Sequence, residues 1–73
     1  MATIGARIRA ARLAVGLSQE HAAERAGVGY KRWQEIEGGS ANPTIRTLDR
    51  IASTLGVEIW NILRKGRRPP SKR

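Results

Sequence analysis

At 73 residues the chain has room for one domain with one small core. It has no cysteine, which excludes disulfides and thiolate metal sites. No apolar run approaches the ~20 residues of a membrane span, and Met1 to Val15 is too charged for a signal peptide, so the expectation is a soluble cytoplasmic protein with no membrane contact. The formal net charge is +8, unevenly placed: residues 1–63 hold eight Lys/Arg against six Asp/Glu, while RKGRRPPSKR over residues 64–73 holds six Lys/Arg and no acid. That tail suits a polyanion, most simply nucleic acid, or else serves solubility alone.

In chain order, a first helix is expected from about Thr3 to Val15, with Thr3 as its cap and Gly16 as its stop. Ile4, Ile8, Ala11 and Val15 make its apolar stripe; Arg7, Arg9 and Arg12 lie outside or beside it. Leu17 is expected to be buried in the link. Ser18 caps a second helix, although His21 stands where a capping box needs Glu or Gln. Ala22, Ala23 and Ala26 share one face of that helix, and Gly27 supplies the turn after it. Gly29 stands at the start of a third helix, about Tyr30 to Glu37, whose Trp33 and Ile36 share a face. After the loop Ser40-Ala41-Asn42-Pro43, Thr44 caps a fourth helix with Ile45, Leu48, Ile51, Ala52 and Leu55 as its buried stripe and Gly56 at its end. A short fifth helix from about Glu58 to Leu63 carries Val57, Ile59, Ile62 and Leu63 as apolar positions. No segment has the alternation of a strand, and Pro69-Pro70 forbids a helix in the tail.

Two short helices meeting at a glycine, with a small residue at Ala23 where steeply crossing helices approach, make the sequence form of a helix-turn-helix. The spacing Ala23, Gly27, Trp33 resembles that of the phage repressor and Cro family, also called the XRE family. IGARIRAARLAVGLSQ resembles its first helix and turn, and GGSANPTIRTLDRIASTLGV its loop and fourth helix, so the likeness spans residues 3 to 63. It implies an all-α, compact five-helix lambda-repressor-like domain over residues 1–63, with the helix-turn-helix at helices 2–3, followed by a basic tail over residues 64–73. In the resembled family, positions 11, 22 and 26 often hold leucine-sized residues and position 33 holds Ile or Val. Here three alanines and one tryptophan stand there, so the Trp33 ring is expected to fill the volume that the alanines leave.

With Trp33 and Ile36 facing inward, Lys31 and Glu35 point most directly outward, Tyr30 and Gln34 lie on one flank of the third helix and Arg32 on the other. The resemblance implies that Tyr30, Lys31 and Glu35 read base edges, that Arg32 contacts phosphate, and that Gln19 contacts phosphate and packs beside the third helix. Gln34, and Gly39 and Asn42 in the loop with their backbone or amide donors, are further phosphate-contacting candidates. The chemistry fits: Lys31 can donate to guanine O6 and N7, Glu35 can accept from the cytosine amino group, and Tyr30 can donate or touch a thymine methyl. Lys31 and Glu35 could equally pair with each other on a solvated face. Arg12 and Glu37 match a family pair that bridges the first helix to the end of the third. Trp60 points away from the inward face of the fifth helix, and the family commonly dimerises at this end, so Ile59, Trp60 and Leu63 are expected at a homodimer seam.

The functional expectation is a DNA-binding transcriptional regulator, a homodimer on a roughly palindromic operator, in the manner of a restriction–modification controller protein. The rival readings are an antitoxin that neutralises a protein partner and an interaction module that bridges a regulator to the transcription machinery. Enzyme chemistry has little to stand on: His21 is the only histidine, with no Ser or Cys at a telling spacing, and neither a phosphate loop nor a metal-spacing cluster occurs. No catalytic residue, metal or cofactor is expected.

Overall fold

Hydroxyl side chains start three of the helices. In the computed structural model, which describes residues 3–63, Thr3 Oγ1 accepts from the Ala6 N–H at 3.1 Å, Ser18 Oγ from the His21 N–H at 3.0 Å and Thr44 Oγ1 from the Thr47 N–H at 3.1 Å. These caps open α1 (Ile4–Ala14), α2 (Gln19–Ala26) and α4 (Ile45–Leu55). Ser18 therefore caps without the reciprocal acid. Gly29 opens α3 (Tyr30–Gly38) with no side-chain hydrogen bond, and α5 (Ile59–Leu63) ends the described segment. The third helix runs one residue past the expected end and the fifth begins one residue later than expected. The basic tail lies outside the described residues, and no strand occurs among those described.

The turn between α2 and α3 is closed by backbone alone. Gly27 sits at φ +71°, its N–H donates to the Glu24 carbonyl at 3.2 Å, and the Val28 N–H reaches back to the Ala23 carbonyl at 2.9 Å. This pair of bonds satisfies the last carbonyls of α2, and the left-handed residue between them is cheapest as glycine. Val28 then folds back against the core. The chain reverses within three residues, so α3 is delivered directly against α2.

The core is one cluster: Ile8, Ala22, Ala23, Ala26, Trp33, Ile36, Leu48, Ile51, Ala52, Leu55 and Ile62. Trp33 is 0% exposed. The indole shares this cluster with Ala22 and Ala26, and Ala11 packs against it, which is the arrangement a volume exchange requires. α1 packs on α3, α4 and α5, while α2 packs on α3 and α4. Among the described residues no helix is long and apolar enough to cross a membrane.

Two stripe positions are corrected. Val15 is half exposed because it is the C-cap of α1, at φ −96° and ψ 2°, where the helical period has already ended. Ile45 is 65% exposed: it is the first residue of α4, a turn before Leu48, and the core stops short of it. Leu17 is only partly buried.

One close approach sets the position of α3. Gly5 is buried in α1, and a Cβ added there would overlap the carbonyl oxygens of Ile36 and Glu37 at the end of α3. Only hydrogen fits at this crossing. Gly5→Ala should therefore force α1 and α3 apart and cost about 1–3 kcal/mol. Gly38→Ala, with open space around its Cβ and a helical backbone, should be neutral or gain up to ~1 kcal/mol. Urea denaturation of the two variants checks both signs.

Candidate nucleic-acid interface

The inner edge of α3 is held by a carboxylate. Arg12 on α1 donates Nε–H to Glu37 Oε2 at 2.6 Å and Nη2–H to Oε1 at 3.1 Å, a bidentate pair with side chains 8% and 4% exposed. Gln19 on α2 donates Nε2–H to Oε1 at 3.0 Å, and the Trp33 indole N–H donates to Oε2 at 2.6 Å. Arg12 also donates Nη1–H to the Leu17 carbonyl at 2.8 Å, tying down the α1–α2 link. Glu37 thus takes four N–H donors from three helices. Burial pushes its carboxyl up, but the bonds from Arg12, Gln19 and Trp33, with the charge of Arg12, outweigh that and leave it below the usual carboxylate value. No buried side-chain polar atom among the described residues lacks a partner.

With that edge fixed, the opposite face of α3 is open. Tyr30, Lys31, Arg32 and Gln34 are exposed and Glu35 is half exposed. Glu35 leans to Arg32 at 4.0 Å, not to Lys31, so the alternative surface pair does not form. An exposed contact of that length is worth little and leaves both groups available. Lys31 has no ion pair among the described residues.

Clefts border α3 on both flanks. On one side Tyr30 and Gln34 line an open cleft of about 540 Å³ with Ser18, Gln19 and Arg9. On the other, Gly39 and Asn42 line one of about 220 Å³ with Thr3 and Ile4 at the start of α1. The structure therefore gathers Tyr30, Lys31, Arg32, Gln34 and Glu35 on one helix, places Gln19 along one border, and places Gly39 and Asn42 along the other. Ile59, Trp60 and Leu63 are remote in sequence, on α5; Trp60 is 49% exposed, and Ile59 and Leu63 are half-buried against the core.

Helix, glycine turn and outward helix have the geometry of a known class. A family model described as a helix-turn-helix domain matches residues 3–59, and an immunity repressor protein of Bacillus phage phi105 is 35% identical over 61 residues. The chain belongs to the repressor-type helix-turn-helix family. The match to the phi105 repressor covers 84% of this chain but 42% of that protein. Solved structures agree with the family across nearly their whole length. The restriction-modification controller protein C.AhdI from Aeromonas hydrophila is 30% identical, with TM-score 0.79, over 81% of this chain and 89% of that one. The N-terminal DNA binding domain of SinR from Bacillus subtilis is 32% identical, with TM-score 0.81, over 89% and 96%. SinR, the master regulator for biofilm formation, in complex with DNA is 33% identical, with TM-score 0.82, over 85% and 100%. The five-helix repressor-type fold is thus the one this sequence adopts.

Sequence reasoning paired Arg12 with Glu37 but missed that Gln19 and Trp33 join them. The i, i+4 spacing of Trp33 and Glu37 was a visible signal, since a buried indole N–H needs an acceptor. The resemblance implies that Gln19 contacts phosphate and packs beside the third helix; one of its two amide N–H groups is engaged by Glu37 on that helix.

Glu37→Gln keeps the side-chain shape but leaves Arg12 buried without its counter-charge, an expected loss of ~3–5 kcal/mol at neutral pH. The lowered carboxyl contributes fully above its unfolded value of about 4.3 and loses that contribution as pH falls through the lower folded value. Urea melts should show the wild type losing stability more steeply than Glu37→Gln below about pH 4.3; parallel pH curves would reject the network's charge.

Proposed function

We propose that this chain is a sequence-specific transcriptional regulator that binds duplex DNA as a homodimer. One observation carries the reading: α3 is clamped along its inner edge by Trp33, Ile36 and the Glu37 network, while Tyr30 and Lys31 are exposed and Glu35 half exposed on its outer face. A helix so held can enter a major groove about 12 Å wide. Lys31 would read guanine and Glu35 the cytosine amino group, with Tyr30 beside them. Gln19, Arg32 and Gln34, with Gly39 and Asn42 on the far border, would meet phosphates and set the register. The likeness to SinR in complex with DNA supports this docking, and the likeness to C.AhdI supports a controller-type role.

The dimer rests on α5. An outward Trp60, flanked by half-buried Ile59 and Leu63, is an apolar surface that a second copy would cover. Two copies would set recognition helices about 34–36 Å apart, one turn of duplex. The setting is the cytoplasm.

Selection of bound sites from random duplexes should return a two-fold-symmetric consensus with half-sites one helical turn apart; an unenriched pool would remove the regulatory reading. Lys31→Ala should lose about 1–3 kcal/mol of discrimination at one base-pair position per half-site. Trp60→Glu should sediment as a folded monomer where the wild type sediments as a dimer; equal masses for both would move the seam elsewhere.

A further inference from the structure

The arginines among the described residues stand in different settings. Arg12 is bound to Glu37, Arg7 donates to the Ile62 carbonyl at 3.4 Å, and Arg32 leans to Glu35. Arg25 and Arg50 share a separate cleft with Glu24 and Asp49, between α2 and α4. Arg9 differs. It is exposed on α1 and has no hydrogen bond or ion pair among the described residues. It also lines the same cleft as Gln19, Tyr30 and Gln34.

We propose that Arg9 is a phosphate-contacting residue that grips the DNA strand running along the Tyr30–Gln34 flank of α3. The inference rests on the reading of α3 as a groove-binding helix. Once α3 lies in a major groove, a strand of phosphates passes on each side of it, and the Tyr30–Gln34 cleft is the opening on one side. Gln19 and Gln34 offer neutral amides to that strand. The buried Arg12–Glu37 pair lines the cleft with no net charge. Arg9 is the remaining cation there, and a guanidinium matches phosphate with two parallel N–H bonds. Glu20 is the opposing charge in the cleft. It sits in the first turn of α2, where unpaired backbone N–H groups offset it, so it does not need Arg9 as a partner and is not within salt-bridge distance of it.

The test measures affinity against salt concentration for the full chain and its Arg9→Gln and Arg9→Lys variants. Each uses the selected operator and an unrelated duplex. One phosphate contact contributes about 0.9 to the slope of log affinity against log salt. Arg9→Gln should lower the slope by about that much per protomer and weaken binding about eightfold per contact at 0.1 M salt, on both duplexes alike. Arg9→Lys should recover most of the slope, and thermal melts should stay unchanged. A wild-type slope in Arg9→Gln would overturn the proposal, as would a weakening confined to one operator position or a lowered melting temperature. If the wild type itself binds no duplex, the reading of α3 fails; if the wild type binds and Arg9→Gln binds equally well, only the role of Arg9 fails.

Discussion

A single carboxylate places three helices relative to one another. Glu37 is nearly buried, and a buried charge is tolerated only with its hydrogen-bonding capacity filled. Four donors fill it, from α1, α2 and α3. Apolar packing alone would hold the helices together without fixing their angle, because burial is non-directional. Hydrogen bonds prefer a donor–hydrogen–acceptor angle above about 150° and weaken steeply as they bend. The angle between α2 and α3 is therefore set where their polar edges meet as well as by the alanines of α2. Gly5 adds a steric limit at the α1–α3 crossing by letting α1 rest against the carbonyls of Ile36 and Glu37.

The tryptophan explains why this arrangement holds in so small a core. Three alanines at positions 11, 22 and 26 leave little apolar volume on the α1 and α2 side, and one indole supplies it from α3. A ring that large brings an N–H inside, and that donor requires an acceptor. Glu37, one turn later on the same helix, provides it. The residue that fills the core thus also strengthens the network that orients the helix, and the two roles cannot be separated by a substitution that removes the ring.

Much of the fold was legible because its signals are local. Three hydroxyl caps, a left-handed glycine in the turn and the stripes of α1 and α4 depend on residues within a few positions of each other. The repressor likeness added the order of the helices and the Arg12–Glu37 pair. What escaped depends on tertiary placement. Periodicity does not report where a core ends, so Val15 and Ile45 were counted inside when both lie outside. Gly5 looks like any glycine in a helix until a carbonyl from another helix is laid against it. Gln19 and Arg9 are a polar side chain and a cation whose neighbours come from distant segments, and nothing in their own spacing announces the shared cleft.

The placement of charge has a consequence for how such a protein would divide its work. Over residues 1–63 the cations barely outnumber the acids, and several are engaged within the fold. Of the exposed cations among the described residues, Lys31, Arg32 and Arg9 lie on or beside α3, while Arg25 and Arg50 line the cleft between α2 and α4. The surplus resides in residues 64–73, with six cations and no acid. Charge that meets only the phosphate backbone attracts any duplex equally and adds affinity without choice of sequence. On the proposal that α3 reads base edges, discrimination falls to a face on which an acid, Glu35, stands one turn from Lys31. An acid there weakens contact with every duplex, and its presence is favourable only where a base-edge donor meets it. A reading face built this way gives up general affinity for selectivity, and a strongly basic remainder of the chain is the complement it requires.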